Sequence, residues 1–241
     1  MPSTASIALG AALSLAGAWI VASRGQGTRA AAWSGLVPAL AASAGFGAPG
    51  VAPLALFVLG AGALTRRGRD RKAALGAAER NEGRRGLANV AAKLTLPALL
   101  GAVAAALPAH APLCAAGYAA GLAGAFADTA ATEIGPLGAG GAFAWGRGGV
   151  RRVPHGTPGA VSAAGVAAGA AAACATAAAG SVAGLHPWGT AGLAAACGFG
   201  ASLLESLAAA TPAGVRLGHH GRNAALSLVA TGAAMALAGR W

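Results

Sequence analysis

Long apolar stretches separated by short polar segments run along most of the 241-residue chain. A helix needs about 20 mostly apolar residues to cross a bilayer, and shorter stretches are accommodated by local thinning of the membrane. By this criterion the pattern predicts eight helical segments, at residues 4–22, 30–46, 50–64, 87–107, 110–127, 158–182, 188–209 and 223–239. The second and third are short and nearly contiguous, so a re-entrant hairpin is the alternative to two full spans. We therefore predict an all-α, polytopic bundle of about eight transmembrane helices (six to eight), forming one domain over residues 1–241.

The composition agrees with a membrane bundle and excludes several other classes. Only 10% of the residues are charged, against roughly a quarter in typical soluble proteins, and 56% are hydrophobic. So apolar a chain is not disordered. The three cysteines lie singly inside apolar runs without a CxxC pair, which excludes a disulfide scaffold. Glycines at small-xxx-small spacing indicate helices whose backbones pack closely together.

The basic residues are distributed very unevenly between the loops. The chain has 17 Lys and Arg but only six Asp and Glu, for a formal charge of +11. Two basic residues follow the first segment, eight lie between the third and fourth, three follow the fifth and two precede the eighth, whereas the opposite loops have none. By the positive-inside rule the basic loops face the cytoplasm and both termini face outside. We therefore expect a multi-pass protein of the cell membrane, with a basic cytoplasmic loop at 65–86 and a motif-bearing cytoplasmic loop at 128–157.

The expected partners follow from the same distribution. Aromatic residues are not interleaved with the basic ones, as a surface that stacks on nucleic-acid bases requires. Basic residues close to an acidic membrane leaflet can also bind anionic headgroups. We therefore expect membrane lipids and not nucleic acid as partners, and the sequence leaves the oligomeric state open.

Three of the acidic residues lie beside or inside apolar segments. Asp128 and Glu133 follow the fifth segment, and Glu205 lies within the seventh. An ionisable residue there costs about 2.5–3.5 kcal/mol on insertion scales and normally faces a cavity or a partner, so a functional role is favoured over structural pairing with arginine. If the helix continues past Asp128, Thr129 and Glu133 share a face at i, i+4. Because Mg²⁺ binds one or two carboxylates and leaves other positions to water and phosphate, we predict magnesium at these three acids.

A glycine-containing turn, Val153-Pro-His-Gly-Thr-Pro-Gly, precedes the sixth segment. Gly156 and Gly159 permit positive φ angles, and a turn that leads into a helix directs backbone N–H groups at an anion. His155 can contact the same phosphate. A plain connecting turn explains these residues equally well, and no Gly-Lys-Ser/Thr follows as a Walker A loop requires.

A stripe of polar residues leads from the basic loop into the fourth segment. Arg85, Asn89 and Lys93 are spaced at i, i+4 and i+8, so they lie on one helix face, and Arg84 precedes them. The stripe fits phosphate binding; the alternative is that Arg85 anchors the membrane interface and Lys93 extends towards it. Asn223, at the start of the eighth segment, is either an N-cap or a side-chain amide of the site.

Five motifs occur in a distinctive order: Leu87-Ala-Asn, Ala127-Asp-Thr-x-Ala-x-Glu-x-Gly, Val153-Pro-x-Gly-Thr-x-Gly-x-Val-Ser, Ser202-Leu-Leu-Glu-Ser and a last segment that begins with asparagine. Together they resemble the transmembrane protein 19 family, which includes the plant phytyl-phosphate kinase of tocopherol synthesis. The resemblance covers most of the chain, and the first helices match only in hydrophobic character. The chain departs from the family pattern at Arg85, Ala130, Pro158 and Glu205.

The resemblance implies transfer of a phosphoryl group from a nucleoside triphosphate, with CTP as one candidate, to a phytyl-like isoprenyl monophosphate. It carries site roles onto Asn89, Asp128, Thr129, Glu133, Gly135, Gly156, Thr157, Gly159, Ser162, Ser206 and Asn223. On this hypothesis Mg²⁺ is held by Asp128 and Glu133 together with Glu205, while basic side chains neutralise phosphate charge on the cytoplasmic side. The alternatives are a CTP-dependent lipid-alcohol kinase or cytidylyltransferase, and a non-enzymatic transporter or structural membrane protein.

Overall fold

The structure is a computed structural model that describes residues 1–25, 28–76, 86–146 and 149–240. Within this part of the chain there are ten α-helices, two short 3₁₀ helices and one β-hairpin. The helices are α1 (Thr4–Ser23), α2 (Arg29–Ser34), α3 (Leu36–Phe46), α4 (Ala48–Arg66), α5 (Arg69–Ala74), α6 (Leu87–Ala106), α7 (Ala111–Ile134), α8 (Ala163–Val182), α9 (Trp188–Ala209) and α10 (Pro212–Ala238). Strands β1 (Ala142–Gly146) and β2 (Gly149–Val153) pair antiparallel, and Val161 forms a further bridge to Phe143.

Five of the described helices, α1, α4, α6, α8 and α9, are long and apolar enough to cross a membrane. Helices α2 and α3 lie along a shorter apolar stretch, Ala30–Phe46, that Gly35 interrupts. At 1.5 Å per residue such a stretch spans about 25 Å, less than the roughly 30 Å of a bilayer core. The predicted helical, multi-span architecture is confirmed, and the count of six to eight spans stays a prediction.

Helix α7 lies at the centre of the bundle. Every residue from Cys114 to Ala130 is buried, with α3, α4, α6, α8, α9 and α10 packed around the helix. Its alanines and glycines permit close approach: a Cβ on Gly198 of α9 would lie only 2.6 Å from the backbone nitrogen of Gly124. The two acidic residues of α7 are therefore carried by the central helix of the fold.

The loops gather at two opposite ends of the bundle. At one end Ser6 Oγ accepts the N–H of Ala48 at 3.1 Å, and a Cβ on Gly239 would lie 4.0 Å from Leu113, so both ends of the described chain are there. At the other end α5 and the start of α8 pack against the turn that follows α7. The loops with the most basic residues thus share one end of the fold, as the charge pattern predicts, and its cytoplasmic orientation stays a prediction.

Three helix boundaries differ from the predicted ones by about five residues or more. Helix α7 continues to Ile134 instead of ending at 127, and it stops only where Gly-Pro follows. Helix α8 begins at Ala163 instead of 158, because Ser162 caps it by accepting the N–H of Gly165 at 3.2 Å. Helix α10 begins at Pro212 and bends at Gly218, where φ is 67°. Asn223 therefore lies inside α10, and its interpretation as an N-cap is wrong.

Candidate functional site

A polar cavity of about 320 Å³ lies at the end of the bundle where α5 and the β-hairpin gather. Its walls come from the C-terminal parts of α7 and α9, the start of α8, the bend of α10 and the turn before α8. Nine residues predicted from the sequence line it: Asp128, Gly135, His155, Gly156, Thr157, Gly159, Ser162, Glu205 and Ser206. Motifs that are far apart along the chain therefore meet at one place.

Asp128 forms a buried ion pair with Lys93 of α6. The Lys93 ammonium donates to Asp128 Oδ2 at 2.9 Å and to the hydroxyl of Thr129 at 3.0 Å. Lys93 is only 4% exposed and Asp128 8%. A buried charge needs a partner of opposite sign, and each of these residues supplies one to the other. The ammonium is therefore directed into the bundle and does not extend towards the membrane interface.

Glu205, which also lines the polar cavity, forms a second ion pair. Arg222 Nε donates to Glu205 Oε1 at 2.7 Å, and its Nη1 donates to the backbone carbonyl of Gly214 at 3.0 Å. The bend of α10 at Gly218 lies between Gly214 and Arg222, so the bond to the Gly214 carbonyl spans the bend. Arg222 therefore holds the bent part of α10 against α9, and it brings a positive charge to the cavity wall.

The turn before α8 has the geometry that its glycines predict. Gly156 and Gly159 have φ angles of 86° and 77°. A Cβ on Gly159 would lie 2.7 Å from the carbonyl oxygen of Ser206, so only glycine lets the turn pack on α9. The amide of Thr157 donates to Pro154 within the turn. The turn and the start of α8 both line the cavity, so an anion there would also lie at the positive end of the α8 dipole.

Glu133 lies elsewhere. Its carboxylate accepts the hydroxyl of Thr65 at 2.6 Å and the ammonium of Lys72 at 2.5 Å. Lys72 also donates to the carbonyls of Leu64 and Thr65 at the end of α4. Five residues after Asp128, Glu133 is turned by about 140° around the helix axis, which directs it towards α4 and α5.

This arrangement changes the predicted magnesium site. Within residues 1–25, 28–76, 86–146 and 149–240, no three His, Cys, Asp or Glu side chains lie close enough together to hold a metal ion. The predicted set of Asp128, Glu133 and Glu205 is therefore not assembled, because Glu133 is bound to Lys72. Asp128 and Glu205 line the same cavity, and two carboxylates suffice for a Mg²⁺ ion that also binds phosphate oxygens. Magnesium at these two residues stays a prediction.

An apolar cavity of about 120 Å³ lies between α1, α2, α3, α4 and α6. Asn89 and Lys93, predicted to bind phosphate, line this second cavity. Because the Lys93 ammonium reaches Asp128, which lines the polar cavity, the Lys93–Asp128 pair lies between the two.

The remaining predicted site residues are Arg84, Arg85, Thr129 and Asn223. Arg84 and Arg85 lie outside the described residues. Thr129 is buried and accepts from Lys93, and Asn223 is buried with its amide 3.1 Å from His219 Nε2. Asn223 Oδ1 has no hydrogen-bond partner among the residues that the structure describes.

Sequence reasoning missed Arg222, His219 and Lys72, of which the first two line the polar cavity. It used Arg222 and Lys72 only as evidence for the orientation of the chain in the membrane. A signal was nevertheless present: an acid inside an apolar segment needs a cation nearby, and Arg222 follows Glu205 after one short loop.

Comparison with known proteins gives one family. The model of the family described as integral membrane protein DUF92 matches residues 10–217. No curated protein and no solved structure matches the chain.

Proposed function

The chain belongs to the integral membrane protein family DUF92, and from this basis we propose that it is a membrane-embedded kinase of isoprenyl monophosphates. It transfers a phosphoryl group from a nucleoside triphosphate, with CTP as one candidate, to a phytyl-like monophosphate and forms the diphosphate. Family membership supports the membrane location. The activity rests on the motif resemblance to the transmembrane protein 19 family and on the geometry of the two cavities.

The observation that carries the proposal is the position of the Lys93–Asp128 pair. On one side lies a cavity with carboxylates, hydroxyls, Arg222 and a helix N-terminus, and on the other lies an apolar cavity. A nucleotide is polar throughout, whereas an isoprenyl phosphate is polar only at one end. A site where a polar and an apolar cavity meet at an ammonium group suits a reaction between these two substrates.

The reaction needs positioning and charge neutralisation more than proton transfer. An oxygen of the acceptor phosphate attacks the γ-phosphorus, the bond to the β–γ bridging oxygen breaks, and the nucleoside diphosphate leaves. A monophosphate has its second pKa near 6, so the attacking oxygen is largely ionised at neutral pH. Lys93, Arg222 and the N-terminus of α8 would stabilise the negative charge of the phosphates, and His155 and Thr157 line the cavity where they would orient them.

Asp128 and Glu205 are the residues that would hold Mg²⁺. Held by these two carboxylates, the ion would supply positive charge that neutralises the phosphates during transfer. The two carboxylates now bind Lys93 and Arg222, so each would exchange or share its partner when the ion and the phosphates enter. We place this site on the cytoplasmic side, because the same end of the bundle carries most of the basic residues.

The test is an assay on the purified protein in lipid, with Mg²⁺, a panel of nucleoside triphosphates and isoprenyl monophosphates of several lengths, with the free alcohols in a separate arm. We expect an isoprenyl diphosphate and a nucleoside diphosphate, and a large loss of product with Asp128→Asn. Release of pyrophosphate would identify a cytidylyltransferase, and phosphorylation of the free alcohol would identify a lipid-alcohol kinase. No product with any pair, or full activity of Asp128→Asn, would exclude the proposed kinase.

A further inference from the structure

The apolar cavity has a lining that is almost free of polar groups. Among the described residues that form its walls, only Ser14, Asn89 and Lys93 are polar. The hydroxyl of Ser14 already donates to the Gly10 carbonyl at 2.8 Å. The rest of the surface is made of aliphatic side chains, phenylalanine and small residues of α1, α2, α3, α4 and α6. Water finds few hydrogen-bond partners on such a surface, so the cavity is suited to hydrocarbon.

The two groups that can bind an anion lie together on one helix. Asn89 and Lys93 are one turn apart on α6, and both are buried. The Lys93 ammonium extends past the apolar wall to Asp128, on the border of the polar cavity. The cavity is thus apolar along its walls and cationic at one point.

At another part of its rim the apolar cavity reaches the surface of the bundle. Leu13 of α1 lines the cavity and is 46% exposed. Because α1 is apolar enough to cross a membrane, this rim faces the lipid and not water. A hydrocarbon chain can therefore enter from the bilayer without crossing an aqueous phase.

From these observations we infer that the apolar cavity is the binding site for the hydrocarbon chain of the lipid acceptor, with the acceptor's phosphate at Lys93. The inference rests on the proposed function and adds to it the place and the orientation of one substrate. A single-chain amphiphile with a terminal phosphate complements an apolar cavity that has one cation. On binding, the Lys93 ammonium turns from Asp128 to the phosphate, which leaves the Asp128 carboxylate to face the polar cavity.

Gly17 offers a direct way to test the cavity. It lines the cavity, and a Cβ built on it meets nothing within 4 Å, so a leucine there can start without a clash at its Cβ and reduce the space of the cavity. Gly192 on α9 is a matched control, because its Cβ also meets nothing within 4 Å but its exposed position is not part of the cavity. Gly17→Leu and Gly192→Leu therefore add the same side chain to two apolar helices.

The experiment measures equilibrium binding of geranyl and geranylgeranyl monophosphate to the full chain in lipid, without nucleotide. Each buried CH₂ contributes about fourfold to affinity, so displacing two of them in Gly17→Leu lowers the affinity for the longer lipid about 15-fold. The affinity for geranyl monophosphate falls less, and Gly192→Leu binds both lipids as the unchanged protein does. Lys93→Met weakens binding of geranylgeranyl monophosphate but not of geranylgeraniol, whereas Gly17→Leu weakens both.

A photoreactive isoprenyl monophosphate gives a second measurement that does not depend on a variant. Crosslinks to peptides of α1 and α4 support the site; crosslinks confined to α8, α9 or α10 overturn it, as does unchanged binding in Gly17→Leu. Since no nucleotide is present, these outcomes are independent of the kinase assay. A protein that binds the lipid at this cavity but makes no diphosphate would refute the proposed function alone, and an active kinase with unchanged binding in Gly17→Leu would refute this site alone.

Discussion

Two buried lysine–carboxylate pairs lie on opposite faces of the central helix, and their surroundings differ. In the pair of Lys72 with Glu133, the lysine also donates to two carbonyls at the end of α4, and the carboxylate also accepts from Thr65. Neither residue lines the polar or the apolar cavity. In the pair of Lys93 with Asp128, each residue borders one of the two cavities.

The difference lies in the partners available to each pair. Lys72 and Glu133 are 1% and 4% exposed and use protein groups as partners, so a ligand has no route to them in this arrangement. Lys93 and Asp128 are similarly buried, but each borders space that a ligand can occupy. The Lys72–Glu133 pair therefore joins α4, α5 and α7. In the other pair, Lys93 can exchange Asp128 for a phosphate, and Asp128 can exchange Lys93 for a metal ion. The same two chemical groups have a structural role at one place and a proposed functional role at the other.

We expect the largest effect from breaking the Lys72–Glu133 pair. In Lys72→Met the Glu133 carboxylate stays buried without its ammonium, and the free energy of unfolding should fall by about 3–5 kcal/mol. The double variant Lys72→Met/Glu133→Leu, which removes both charges, should recover most of this loss. Reversible unfolding in mixed micelles, followed by circular dichroism, measures both.

Lys93→Met should cost less stability than Lys72→Met, because Asp128 borders the polar cavity and can be solvated there. Equal losses in the two single variants would contradict the distinction between the pairs. So would a double variant at positions 72 and 133 that is no more stable than Lys72→Met.

Much of the fold follows from the sequence, because the apolar runs have the length of membrane helices. The helical, multi-span architecture and the gathering of the basic loops at one end needed only hydropathy and charge counts. The ends of α7, α8 and α10 were less predictable. Alanine-rich sequence continues a helix as easily as it ends one, so Asp128 and Glu133 were placed in a loop although they lie in the last turns of α7.

Most of the predicted residues that line the polar cavity could be named from the sequence, but their positions relative to one another could not. Asp128, Glu205 and the turn of Gly156 and Gly159 line one cavity, as their position beside apolar segments indicated. The separation of Glu133 from them depends on Lys72, which belongs to a loop rich in basic residues. A sequence does not tell which of several lysines and arginines folds back onto a buried acid, so this pairing needed coordinates.

The second effect concerns activity and compares the acids of the two pairs. Asp128→Asn should lower the rate of phosphoryl transfer about 100- to 1,000-fold, because it removes the charge that we propose holds the metal ion beside the phosphates. The double variant Lys72→Met/Glu133→Leu should keep nearly full activity per folded molecule. The measurement is kcat for diphosphate formation, normalised to the folded fraction.

The control for this comparison is the stability of each variant. A low kcat of the double variant with normal folding would show that Glu133 takes part in the reaction, as the motif resemblance implies. Nearly normal activity of Asp128→Asn would instead remove the functional distinction between the two carboxylates.

The smallest effect comes from the threonine in each pair. Thr65 donates to Glu133 at 2.6 Å, and Thr129 accepts from Lys93 at 3.0 Å. Each Thr→Val change removes the hydrogen bond to the charged pair, which contributes about 1 kcal/mol, together with a bond from the same hydroxyl to a backbone carbonyl one turn back in its own helix. Thr65→Val should therefore lower the free energy of unfolding by about that amount and leave KM for the lipid unchanged.

Thr129→Val should raise KM for the isoprenyl monophosphate about fivefold with little change in kcat, because Thr129 positions the ammonium that binds the acceptor. If both variants changed stability alone, Thr129 and Lys93 would have only a structural role, as Thr65 and Lys72 have. The Lys93–Asp128 pair would then lose its proposed role in binding.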